Sequence, residues 1–220
     1  MGAVIINFKA YREGSGKMAM ELAKIADEIA SKCDDYIAIA VNALDLAEIA
    51  KEVSIDVFAQ HIDAIEFGSH TGRINAEMIK EKGAKGSLVN HSERRLKLAD
   101  IDFVVSKLRE LELTSIVCTN NVATTAAAAA LNPDYVAVEP PELIGTGIPV
   151  SKAEPEVVEN SVKAAKNVNE GVKVLCGAGI TCHEDYVAAL DLGAEGVLLA
   201  SGIVKAKDRK AALEELVGLR

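Results

Sequence analysis

Val136-Ala-Val-Glu139-Pro-Pro-Glu-Leu-Ile-Gly145-Thr-Gly147 is a short run of small and β-branched apolar residues that ends on one carboxylate, Glu139. Two prolines stiffen the exit from that run, and a Gly-Thr-Gly segment closes it. An apolar strand that delivers an acid to its C-terminal tip, followed by a loop rigid at one end and free at the other, suits a catalytic base beneath a lid. Taken alone, the same residues also describe an exposed glutamate in a Pro/Gly turn. The remainder of the chain decides between the two.

Working outward, short apolar runs alternate with helical patterns along the 220 residues. The expected strands are Val4–Lys9, Tyr36–Val41, Asp56–His61, Gly86–His91, Thr114–Thr119, Tyr135–Glu139, Val172–Gly177 and Gly196–Ser201. They are apolar without alternation, as parallel strands covered on both faces should be. The expected helices are Lys17–Cys33, Ala43–Glu52, Asn75–Lys82, Asp100–Glu112, Val122–Leu131, Lys152–Asn169, His183–Leu192 and Asp208–Val217. In the first of them Met18, Leu22, Ile25 and Ile29 recur at three- and four-residue intervals. Asn42, Asn121 and Ser151 with Glu154 supply start signals. Strict alternation implies parallel strands joined by right-handed crossovers. Spacing of roughly 27 residues per unit is close to the ~30 of a compact βαβ step, and eight units suit a closed (β/α)8 barrel over 1–220. The first turn carries no G-x-G-x-x-G, so a dinucleotide-binding open sheet is disfavoured.

Composition narrows the class. Half of the residues are apolar, aromatics are 4% and Trp is absent, so Ala, Val, Ile and Leu must build the core. A formal charge of −9 argues against nucleic-acid partners. No apolar run is long enough to span a membrane and no signal peptide is apparent, which leads to a cytoplasmic expectation. Cys33, Cys118, Cys176 and Cys182 lack C-x-x-C spacing, so reduced and mostly buried thiols are expected, not a zinc site or a disulfide frame.

In a barrel, reacting groups belong at the C-terminal strand ends. That places Asn7 and Lys9 after the first strand, His91 after the fourth and Glu139 after the sixth. Each is costly to bury unpaired, and together they permit proton transfer beside a carbonyl. Glu139 is the expected base, His91 the neutral electrophile and Lys9 the source of positive potential. Ser92-Glu93-Arg94-Arg95 is read as a helical start, whose dipole disfavours an imidazolium at His91. Gly177-Ala-Gly179 after the seventh strand and Ala200-Ser201-Gly202 after the eighth suit a phosphate, because late barrel loops present backbone N–H groups.

These motifs closely resemble the triosephosphate isomerase family, in its short archaeal branch. Ile5-Ile-Asn7-Phe-Lys9-Ala-Tyr is similar to the opening strand of that family. Asn90-His91-Ser-Glu-Arg-Arg95 resembles its histidine signature, with Asn90 where many members carry Gly. Val138-Glu139-Pro-Pro-Glu-Leu-Ile-Gly-Thr-Gly147 resembles its glutamate and lid, though Pro141-Glu142-Leu143 stands where a tryptophan is common. Ser69-His-Thr71-Gly72 resembles the loop that reaches a neighbouring subunit, and Cys176-Gly-Ala-Gly179-Ile and Leu199-Ala-Ser201-Gly202 its phosphate loops. A neutral-histidine electrophile and a closing lid are known features of this family. The resemblance implies interconversion of dihydroxyacetone phosphate and glyceraldehyde 3-phosphate through an enediolate, with no metal or organic cofactor. It assigns Asn7, Lys9, Ile144, Gly145, Gly179, Ala200 and Ser201 to the substrate, and Glu93 to fixing Lys9. It also implies a homo-oligomer, a tetramer by analogy with a dimer as alternative, and short helices between the fourth and sixth strands would leave barrel wall to be covered. A lysine-dependent aldolase is disfavoured because Glu139 stands where its lysine would. A binding-only barrel is disfavoured because all four polar groups are present.

Overall fold

The computed structural model describes residues 2–140 and 153–219. Eight parallel strands close on themselves in chain order: β1 Ala3–Asn7, β2 Tyr36–Val41, β3 Asp56–Ala59, β4 Gly86–Val89, β5 Thr114–Thr119, β6 Tyr135–Val138, β7 Lys173–Gly177 and β8 Gly196–Leu199. Closure is made by β8 against β1, in the register Ala3↔Gly196 to Ile6↔Leu199. The expected (β/α)8 barrel is therefore the architecture found.

The strands lack alternation because both faces are dry. On β1, Ala3 and Ile5 join Ala38, Ala40, Phe58, Leu88, Ile116, Cys118, Ala137, Leu175 and Leu198 inside the barrel. Val4 and Ile6 face outward and pack with Ile37, Ile39 and Val41 under the helices. Alanine fills much of the bore, and Phe58 supplies the bulk that an aromatic-poor chain otherwise lacks.

The helices are α1 Gly16–Ala30, α2 Leu46–Glu52, α3 Ala76–Glu81, α4 Leu98–Glu110, α5 Val122–Ala129, α6 Pro155–Val168, α7 His183–Asp191, α8 Ser201–Val204 and α9 Arg209–Leu216. Four corrections follow. The buried stripe of α1 is Ala19, Leu22, Ala23, Ala26 and Ile29, while Met18 is exposed and Ile25 half-buried, so small residues set the approach to the barrel. Asn42 does not start α2: its side chain accepts from the Leu44 and Asp45 N–H groups and closes a turn before the helix. α4 has 13 residues and is not short, whereas α5 has 8. α8 is absent from the expected set, because a single turn is too brief to show periodicity.

Asn121 does cap α5, with its side chain accepting from Thr124 N at 2.9 Å and Thr124 Oγ1 accepting from Asn121 N at 3.2 Å. Ser151 lies outside the described residues, and Glu154 precedes α6 with Pro155 at its first position and no side-chain cap. No helix among the described residues is long and apolar enough to cross a membrane.

Candidate active site

Each polar group sits at the end of its strand or just past it. β1 stops at Asn7, β4 at Val89, β6 at Val138 and β8 at Leu199, one or two residues before the expected ends. The reason is backbone geometry. Lys9 (φ 50°) and Asn90 (φ 61°) enter the left-handed region and turn the chain out of the ladder. Glu139 remains tied to the sheet, its N–H donating to Thr119 O at 2.8 Å.

Asn7, Lys9, His91, Glu139, Gly179, Ala200 and Ser201 line one cleft at the mouth of the barrel. Seven of the residues expected to form the site are thus brought together. Glu93 is beside them, its Oε1 2.9 Å from Lys9 Nζ. Ile144 and Gly145, with the rest of the lid sequence, lie outside the described residues.

His91 Nε2 lies 3.5 Å from Glu139 Oε1, and both side chains are 7% exposed. His91 Nε2 and Glu139 Oε2 are buried without a hydrogen-bond partner among the described residues. Such atoms are uncommon in native interiors, and a catalytic role is one physical reason for them. The expected helix start after His91 is not there: Ser92–Arg95 makes a single turn, in which Arg94 N donates to His91 O at 2.8 Å. The tautomer has a different local cause. Glu93 N donates to His91 Nδ1 at 3.2 Å, which requires that nitrogen to be unprotonated and leaves the proton on Nε2, facing Glu139.

Glu139 sits in a narrow slot. A methyl group on Gly177 would stand 2.3 Å from Glu139 Cγ and 3.2 Å from its Cδ, so glycine is needed there to make room for the carboxylate. Cys118, inside the barrel, borders the slot; burial pushes its thiol well above the usual range, and the Glu139 carboxylate adds to that. Beyond Gly177 the chain turns through Ala178 (φ 70°) and Gly179 (φ 75°). Asp185, buried on α7, holds this loop by accepting from Thr181 N and Oγ1, both at 3.0 Å.

Sequence reasoning passed over three contributors. Tyr11 and Thr181 also line the cleft. Gln60, directly after β3, donates to Asn7 Oδ1 at 3.3 Å, Lys9 O at 3.0 Å and Ala40 O at 3.2 Å. A polar residue ending an apolar run was the available signal for Gln60, the same one that marked Glu139. Among the described residues no group of three His, Cys, Asp or Glu side chains converges as a metal-binding cluster.

Known proteins share this sequence closely. The pattern defining the triosephosphate isomerase family matches residues 2–217. A triosephosphate isomerase from Archaeoglobus fulgidus is 80% identical over 219 residues, spanning 100% of this chain and 98% of its own length. Those from Methanothermus fervidus and Methanocaldococcus jannaschii are 59% and 58% identical, each over 97% of this chain and over 96% and 98% of their own lengths.

Proposed function

This chain belongs to the triosephosphate isomerase family, and from that premise we propose how its own residues carry the reaction. The activity is the interconversion of dihydroxyacetone phosphate and D-glyceraldehyde 3-phosphate, an intramolecular aldose–ketose isomerisation that serves glycolysis and gluconeogenesis. In our assignment Glu139 removes the C1 proton of dihydroxyacetone phosphate. The C–H electron pair becomes the C1=C2 double bond, and the carbonyl π pair moves onto O2 to form the enediolate. Glu139 then returns a proton to C2. His91 donates a hydrogen bond from Nε2–H to the carbonyl oxygen as negative charge develops there, and serves the proton exchange between O1 and O2. Lys9 supplies positive potential and Asn7 a polar contact. We assign the phosphate to backbone groups at Gly179, Ala200 and Ser201, with Ile144 and Gly145 completing its contacts.

The observation that carries this assignment is the pair of buried polar atoms, His91 Nε2 and Glu139 Oε2, without hydrogen-bond partners among the described residues at the cleft floor. A donor and a base side by side in a water-poor site are what proton transfer next to a carbonyl needs. The test is a coupled isomerisation assay of the wild type beside Glu139→Gln. We expect kcat to fall by several orders of magnitude with KM little changed. Equal turnover in the variant would remove Glu139 as the base.

We further propose a cytoplasmic homotetramer, with a dimer as the alternative. Association is supported by a mostly apolar groove between α4 and α5, lined among others by Leu96, Leu98, Ile101, Val117, Ala127 and Ala128, and by the exposed Leu98 and Phe103 of α4. Light scattering after gel filtration distinguishes the two assemblies.

A further inference from the structure

We propose that Gln60 is the positioning residue that holds Lys9 and Asn7 in the geometry used for substrate, an inference that rests on the assignment of those two residues above. Lys9 adopts a φ of 50°, a backbone conformation that unstrained L-residues seldom take. Surrounding structure has to impose it. Inside the loop, the hold is the Lys9 N–H donating to Asn7 Oδ1 at 2.9 Å. A further constraint comes from the Gln60 side-chain amide.

Gln60 Nε2 faces three oxygens, Lys9 O at 3.0 Å, Ala40 O at 3.2 Å and Asn7 Oδ1 at 3.3 Å. Three acceptors around one atom assign it as the nitrogen, since the amide oxygen there would be repelled. Ala40 O is a fixed point of the sheet, because it also accepts from Phe8 N at 2.9 Å. The amide therefore ties the loop after β1 to the end of β2 from a base on β3. It grips the carbonyl of Lys9 and the side-chain oxygen of Asn7 together. With its carbonyl so held, Lys9 directs a side chain only 9% exposed across to Glu93, 2.9 Å away. Gln60 touches neither reacting group and acts through residues that do.

The charged and titratable groups that share its surroundings are Lys9 on the β1 loop, His61 and Asp63 on its own loop, and Arg94 from the turn after β4. Any pH series is accordingly normalised to the wild type at each pH.

The experiment is steady-state kinetics on wild type, Gln60→Met and Gln60→Glu, with circular dichroism to verify folding at the assay temperature. Gln60→Met keeps the bulk and removes the donors. We expect kcat/KM to fall about tenfold, the effect of losing roughly one hydrogen bond to the working geometry, with most of the change in KM. Gln60→Glu turns a carboxylate toward three oxygens. Relative to wild type it should be weakest near about pH 8 and recover toward about pH 5.5, where the protonated acid can again donate. A merely space-filling role would leave KM unchanged in Gln60→Met and give Gln60→Glu the same deficit at every pH; either result overturns the proposal. Loss of activity only in step with loss of folded protein also overturns it. An inactive wild type would instead overturn the assignment of the site itself.

Discussion

At the scale of single residues, the site depends on what is missing at Gly177 as much as on what is present at Glu139. A Cβ there would collide with Glu139 Cγ at 2.3 Å. If Glu139 is the base we propose, Gly177→Ala should displace its carboxylate and lower kcat by about 100-fold or more, the cost of a ~1 Å shift in a reacting group. Kinetics beside a thermal melt checks this; a stable variant with wild-type kcat would show that Glu139 has room to spare. His91 gives the matching lesson about protonation. Its Nδ1 accepts from one backbone donor, Glu93 N, and no helix starts behind it. The motif made the residue visible, whereas the reason for its tautomer became visible only with the turn.

At the scale of elements, α3, α5 and α9 each start on a side chain that accepts from the first turn, Asn75, Asn121 and Asp208. α5 is eight residues long and rich in alanine, and its start is fastened by the reciprocal bonds of Asn121 and Thr124. Asn121→Ala should cost about 1 kcal/mol of stability, seen as a lower denaturation midpoint with an unchanged m-value. The first and last long helices are joined through Glu28, which accepts from Lys210 at 2.6 Å and from Lys32 at 2.5 Å. These two contacts hold its carboxyl down to about 2, against an ordinary value of 4.5. A depressed folded-state pKa adds stability that is complete above pH 4.5 and is lost as the pH falls toward 2. Wild type should therefore lose more stability across that window than Glu28→Gln, and added salt should shrink the difference, because the pair is exposed. Identical acid limbs for the two proteins would refute the link.

For the molecule as a whole, two layers of side chains exclude water from the strands, and the thiols report on how completely. Cys118 and Cys176 are fully buried, while Cys33 and Cys182 are half-buried. Burial raises the Cys33 and Cys182 thiols as well. Native protein at neutral pH should accordingly react slowly with iodoacetamide at Cys33 and Cys182. Cys118 and Cys176 should be modified only at the rate of global opening, because reaction requires both thiolate and access. Mass spectrometry of timed samples gives the order; early labelling of Cys118 would mean that the barrel interior opens locally beside Glu139.

The amino-acid sequence by itself determined the eight-fold alternation, the barrel class and the polar strand ends. Those features are local: an apolar run, a helical period and a charged terminus each show in a few consecutive residues. Asn7, Lys9, His91 and Glu139 were legible because a polar group closing a buried run is costly and therefore conspicuous. Tertiary structure decided what depends on residues far apart in the chain. Gln60 reaches across to Lys9, and Gly177 yields space to Glu139, 38 positions earlier. It also decided where β1 and β4 stop, since the left-handed turns at Lys9 and Asn90 are held by partners on neighbouring strands and loops. Packing and hydrogen bonds between distant segments leave no periodic trace in a sequence, because they are made only once the barrel has closed.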